Sequence, residues 1–93
     1  MHYEIVRTTR FKKAYKRVSQ LPGFKEKVFV EVVTLLADGL ALPRKYHDHK
    51  LTGDLRGLRE CHLAPDILLV YQINNGMLIL TLVNIGNHAQ LFK

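Results

Sequence analysis

Ninety-three residues make one domain with a single modest core, and 47% hydrophobic content excludes a disordered chain. Fourteen Lys and Arg against eight Asp and Glu give a net charge of +6, which favours phosphate-bearing or acidic protein partners without specifying one. The lone Cys61 excludes an intramolecular disulfide, Met1–Arg10 carries no signal-peptide core, and the most apolar stretch, Ile67–Ile85, is interrupted by Gln72, Asn74, Asn75, Gly76 and Asn84. The expectation is one domain over residues 1–93, soluble and cytoplasmic, with no membrane partner.

Tyr3–Arg7, rich in aromatic and β-branched residues, reads as a short first strand. Thr8 or Thr9 then caps a helix to about Ser19, with Phe11, Tyr15 and Val18 on its apolar stripe and Ala14 beside them. Leu21-Pro22-Gly23 breaks the chain. A second helix runs to about Asp38 and stops at Gly39; Phe24, Val28, Val32, Leu35 and Leu36 follow the helical period. Phe29, Val30 and Val33 widen its apolar face, which calls for packing on two sides or for a partner.

Ala41–Thr52 reads as a polar loop holding Pro43 and the run His47-Asp48-His49. From Gly57 the period changes to that of strands: Gly57–Leu63, then an Ala64-Pro65 turn, then Asp66–Ile73 as a central strand. Asn74-Asn75-Gly76 is a hairpin signal leading into Met77–Val83, and His88–Lys93 forms a short tail. The order β-α-α-β-β-β gives an α+β fold, two N-terminal helices on a mostly antiparallel four-stranded sheet.

The second half concentrates ionisable residues: His49, Glu60, His62, Asp66 and His88. Strand alternation puts Leu58, Glu60 and His62 on one face and Arg59, Cys61 and Leu63 on the other. The Ala64-Pro65 turn folds Asp66 back towards His62, and His88 follows the last strand at the same side of the sheet. Three readings stand on these residues. One is structural, with His62 and Asp66 as a satisfied pair. Another is a metal site from His47, His49, His62, Asp66 and His88, although no HExxH or paired-Cys motif is present.

The last is cleavage of RNA without a metal, and it is the reading adopted. The 2′-hydroxyl must lose a proton, the leaving 5′-oxygen must gain one, and the phosphorane needs cationic stabilisation. Two histidines, a carboxylate and nearby Lys or Arg meet those demands, because imidazole both takes and gives protons near neutral pH. Phe92 offers a ring for stacking on a base. Lys12 with Lys16 and Lys13 with Arg17 repeat like charges at i, i+4, at a cost of a few tenths of a kcal/mol per pair, roughly, that a phosphate or acidic partner offsets.

Four ordered motifs, Tyr46-His47-Asp48-His49-Lys50-Leu51-Thr52-Gly53, Gly57-Leu58-Arg59-Glu60-Cys61-His62, Pro65-Asp66-Ile67-Leu68-Leu69-Val70-Tyr71 and Gly86-Asn87-His88-Ala89-Gln90-Leu91-Phe92, resemble the YafQ branch of the RelE/ParE toxin superfamily from residue 42 onward. The resemblance implies a compact RelE-like fold and a type II toxin that cleaves mRNA in the ribosomal A site without a metal or other cofactor. It implies partners too: a cognate antitoxin, and mRNA on the 70S ribosome with contacts to 16S rRNA. Carried over by motif, the catalytic positions are His49, Glu60, His62, Asp66 and His88. Phe92 is carried over with them as an RNA contact; the basic face of the first helix, Lys12, Lys13, Lys16 and Arg17, together with Lys50 and Arg59, supplies the other expected RNA contacts. His49, Asp66 and His88 lead for proton transfer, with Glu60 and His62 orienting the nucleophile or sharing charge. Two positions depart from the branch: Glu60 is one methylene longer than the Asp often found there, and Ile67 replaces a Trp that would stack. The alternatives within the superfamily are a binding-only member such as a gyrase inhibitor, and an inactive antitoxin-binding homologue.

Overall fold

The computed structural model describes residues 2–92, so Lys93 of the expected tail lies outside the described residues, as does Met1. Strand β1 (Glu4–Arg7) leads directly into helix α1 (Thr9–Val18). Thr8 makes that junction. Its hydroxyl accepts from the Phe11 amide at 3.0 Å and donates to the Val83 carbonyl at 2.7 Å, so one side chain starts the helix and ties it to the sheet. Phe11, Ala14 and Val18, at i, i+3 and i+7, are the buried face of α1.

Helix α2 (Glu26–Ala37) buries Val32, Val33 and Leu36 and ends at Gly39, whose φ of +76° suits a residue without Cβ. Phe29 of α2 packs on Phe11 and Tyr15 of α1, with ring centroids 6.1 and 5.0 Å apart. Val30 is exposed, so the wide apolar face is only partly covered.

The sheet has five strands in the order β1-β5-β4-β3-β2, with β1 parallel to β5 and every other pair antiparallel. The meander β3 (Arg59–Ala64), β4 (Ile67–Asn74) and β5 (Ile79–Gly86) sits where the sequence predicts it, and the apolar β4 is central. The four-stranded expectation is corrected by β2 (His49–Lys50), which lies inside the predicted polar loop. Two residues are too few to show any period, so only pairing with β3 reveals the strand.

Two further details differ. The β4–β5 connection is Asn75–Leu78, and the positive φ falls on Leu78 (54°) rather than on Asn75 or Gly76. The Asn74 side chain accepts from the Met77 amide at 3.0 Å, which builds the turn one step later than the Asn-Gly signal suggests. The tail is a short helix, α3 (His88–Leu91), closed by a reciprocal capping box between Asn87 and Gln90.

The main core lies between α1, α2 and one face of the sheet, centred on Cys61, Leu69, Tyr71, Leu80, Leu82 and Ile85. Leu68 and Val70 are also buried but belong to the opposite face, where no long helix packs. That second, smaller floor carries the site.

Candidate active site

Cross-strand register puts His49 opposite Glu60 and Glu60 opposite Val70, one row across β2, β3 and β4. Residues directly opposite share a face, and i, i+2 residues of one strand do too, so His62 joins Glu60 on the face away from α1 and α2. Glu60 is 3% exposed, the sole charged residue in the buried set among the described residues. Its Oε1 lies 3.4 Å from His49 Nε2 and 4.0 Å from His62 Nε2, whereas Oε2 has no hydrogen-bond partner. A buried carboxylate oxygen with no donor carries a desolvation cost of about 1–3 kcal/mol. Oε2 is thereby left with unused acceptor capacity among the described residues.

His49 is aimed at Glu60 by its neighbours. His47 adopts the left-handed conformation (φ 50°), and the turned chain lets His49 Nδ1–H donate to the His47 carbonyl at 2.7 Å. A carbonyl only accepts, so Nδ1 keeps its hydrogen and Nε2, facing Glu60, is the nitrogen free to gain and lose a proton. Between the two histidines, Asp48 points to the helix side. It accepts from Arg59 Nη2 at 2.8 Å, from Arg59 Nε at 3.3 Å and from the Tyr71 hydroxyl. The Asp48 hydrogen bond raises the Arg59 pKa, and burial followed by that same carboxylate raises the Tyr71 pKa. Arg59 therefore stays charged and Tyr71 stays a donor, and together they clamp the short β2 strand so that its next residue, His49, meets Glu60.

The opposite wall comes from α3. His88 and Phe92 stand one helical turn apart with ring centroids 4.7 Å apart, and the capping box fixes the helix that carries them. His49, Glu60, His88 and Phe92 line one open cleft of about 280 Å³, with Leu51 and Thr52 at its edge. The cleft thus joins an imidazole beside a carboxylate, a second imidazole on a separate element, and an aromatic ring.

The other expected site residues lie elsewhere. His62 packs its ring against His47, 5.3 Å between centroids, and lines a neighbouring pocket with Tyr46 and Pro65; it touches the cleft only through Glu60. No His62–Asp66 pair forms. A register shift between His62 and Ala64 turns the connection, and Asp66 joins Arg17, Leu21 and Asn87 in lining a pocket on the other flank of α3. Arg59 faces the helices and is held by Asp48, so alternation along β3 removes it from the cleft. Lys50 lines a cavity of about 690 Å³ with Asp48 and Arg56. Lys12, Lys13, Lys16 and Arg17 are exposed on α1. Ile67 is buried in the main core and offers no stacking surface.

Sequence reasoning missed the Asp48–Arg59–Tyr71 clamp. Its one signal was the position of Asp48 between two histidines, since alternation must send it to the face they avoid. Among the described residues no group of three His, Cys, Asp or Glu is arranged to hold a metal ion, and no helix is long and apolar enough to cross a membrane.

The fold is that of a class of small bacterial toxins. A metal-bound toxin from Helicobacter pylori superposes with a TM-score of 0.88 at 43% identity, covering 99% of this chain and 100% of that one. YafQ in the Escherichia coli DinJ–YafQ toxin–antitoxin complex superposes with a TM-score of 0.86 at 29% identity, covering 100% of both chains. The family model of YafQ, the bacterial toxin of a type II toxin–antitoxin system, matches residues 3–93, and the chain belongs to that family. The mRNA interferase toxin YafQ of Escherichia coli K12 is 39% identical over 62 residues, 66% of this chain and 65% of the relative. Across the curated relatives that it matches, the aligned stretches span between 43% and 65% of their lengths.

Proposed function

We propose that this chain is an mRNA interferase, a ribosome-dependent endoribonuclease held in check by a cognate antitoxin. The observation that carries the reading is the convergence of His49–Glu60, His88 and Phe92 on one cleft. His49 Nε2, 3.4 Å from Glu60 Oε1, takes the proton of the ribose 2′-hydroxyl, and the neighbouring Glu60 charge favours the imidazolium that forms. The 2′-oxygen then forms a bond to phosphorus as the bond to the 5′-oxygen breaks. His88 gives its proton to that leaving oxygen. The products are a 2′,3′-cyclic phosphate and a free 5′-hydroxyl, and the two histidines end with exchanged protonation states. Phe92 stacks on a base beside the scissile bond.

His62 shares the Glu60 carboxylate and holds its charge near His49. Asp66, beside Asn87 at the start of α3, acts on the setting of His88 rather than on the transferred protons. No step draws on a metal ion, so activity persists after treatment of the toxin with a chelator. The net charge of +6 suits ribosomal RNA and mRNA as polyanionic surfaces. The relative called an mRNA interferase and the relative solved with its antitoxin support the same reading. Action on mRNA and 16S rRNA places the working protein in the cytoplasm.

The test is primer extension on a defined mRNA in programmed 70S ribosomes, with EDTA added to the toxin beforehand. Wild-type protein gives discrete A-site cuts, and His88→Ala gives them about 10²–10⁴-fold more slowly. Intact mRNA with wild-type protein, together with DNA breaks in a gyrase assay, would replace this reading by gyrase poisoning. Intact mRNA with no gyrase effect would leave an inactive antitoxin-binding homologue.

A further inference from the structure

Strand β1 stops at its pairing with Leu82, so beyond that point no strand lies beside the outer edge of β5, where Thr8 caps the Val83 carbonyl. Between this edge, α1 and α3 runs a groove of about 600 Å³, separate from the cleft. The two openings share α3: His88 and Phe92 line the cleft, and Gln90 and Leu91 line the groove. One side of the groove is formed by Arg10, Lys13 and Arg17. At i, i+3 and i+7 these lie on one face of α1 and span about 10 Å along its axis.

The chemistry of the groove is one-sided. Among the described residues none of the three cations has an ion-pair partner and no carboxylate lines the groove. Across from them, the Asn84 amide oxygen accepts from the Ile85 backbone N–H and the Gln90 amide oxygen accepts from the Asn87 backbone N–H, each at 2.9 Å. Both oxygens are therefore spent within the fold, and both NH2 groups remain as donors. Like charges at these helical spacings repel, so the arrangement costs stability unless an anion fills it. Apolar lining is limited to Ala14 and Leu91. A docked protein segment needs a buried apolar anchor, whereas a sugar–phosphate strand needs cations and neutral donors.

We propose that this groove is a phosphodiester-binding subsite, which holds the backbone of the RNA strand on the far flank of α3 from the reacting nucleotide. The inference rests on RNA being the substrate. It divides the basic residues of α1 into two sets: Arg10, Lys13 and Arg17 hold phosphates, and Lys12 and Lys16 do not.

The test uses a single-stranded 2′-O-methyl RNA oligonucleotide, which binds without being cut. Its affinity is measured against salt concentration for wild type, for Arg10→Gln/Lys13→Gln/Arg17→Gln, and for Lys12→Gln/Lys16→Gln. All five are exposed, so the variants fold. Three lost phosphate contacts lower the slope of log affinity against log salt by about 2 in the triple variant. The double variant changes it by less than half as much. In parallel, inorganic phosphate titrated into wild type shifts the side-chain amide signals of Asn84 and Gln90.

Equal slope losses in the two variants, an unchanged slope in the triple variant, or still amide signals would each overturn the subsite. So would a poly-glutamate peptide that moves those amides while the oligonucleotide does not. Because the oligonucleotide cannot be cleaved, these results are independent of the nuclease assay. Absence of A-site cuts with the phosphate response intact would sink the nuclease reading alone.

Discussion

Asp48 and Glu60 are carboxylates one cross-strand step apart on opposite faces of the same sheet, and the fold uses them in opposite ways. Asp48 is spent: Arg59 and Tyr71 supply donors to both of its oxygens. Glu60 is more deeply buried, yet one of its oxygens has no donor and the other has only two imidazole nitrogens at 3.4 and 4.0 Å. A carboxylate whose bonds are all made holds structure in place. One left short of donors in a buried setting has bonding capacity for a substrate and a proton.

The largest expected effect separates the two directly. Glu60→Gln keeps the shape but loses the charge behind His49, and single-turnover cleavage falls about 10²–10⁴-fold. Its urea midpoint stays level or rises, because an incompletely paired buried charge has been removed. A fall in stability with cleavage intact would reverse the roles given to the two carboxylates. Asp48→Asn does the opposite. It strips the half-buried Arg59 of its counter-charge and lowers stability by about 1–3 kcal/mol, read from urea unfolding. Cleavage drops only as far as β2 loosens, and Tyr71→Phe follows the same pattern more weakly.

A pH series sharpens the contrast from the closed side of the sheet. Burial, then the nearby Asp48 and Glu60 charges, push the Cys61 thiol from 9.0 up to about 12. Above pH 9 the unfolded chain therefore loses this proton while the folded chain keeps it. Fewer protons on the unfolded state mean that stability falls as pH rises, by about 1 kcal/mol at pH 10 from this group. Tyr71 is raised as well and adds to the loss with the same sign. Urea midpoints flat from pH 7 to 8.5 and falling above pH 9, with a smaller fall in Cys61→Ala, are the expected result.

The smallest effect concerns α3. A Cβ on Gly86 would stand 2.7 Å from the Gln90 side-chain oxygen that completes the capping box. Gly86→Ala displaces that oxygen, weakens the cap by about 0.5–1 kcal/mol and loosens His88 and Phe92. Cleavage falls several-fold with little change in global stability.

Long periodic segments were legible in the sequence. The Phe11, Tyr15 and Val18 stripe with Ala14 beside it, the α2 period and the apolar β4 each fix a face, and the three-strand meander follows from them; the buried face of α1 takes Ala14 in place of Tyr15. The face shared by Glu60 and His62 was also legible, because alternation along β3 needs no register. What depends on pairing between strands was hidden. β2 is two residues long, so the row from His49 to Glu60 exists only through its partner strand. The register shift after His62 sends Asp66 across α3, and no local propensity marks that shift. The capping box of α3 was written in the sequence as Asn87 and Gln90, but four helical residues give too little periodicity to be read as a helix.

The most direct test of the central claim, that His49 with Glu60 takes one proton and His88 gives the other, is the pH dependence of single-turnover mRNA cleavage on programmed ribosomes. Wild type should give a bell, with His49→Ala losing its acid limb and His88→Ala its alkaline limb. A wild-type profile flat from about pH 5 to 9, or variants that keep both limbs, would contradict it.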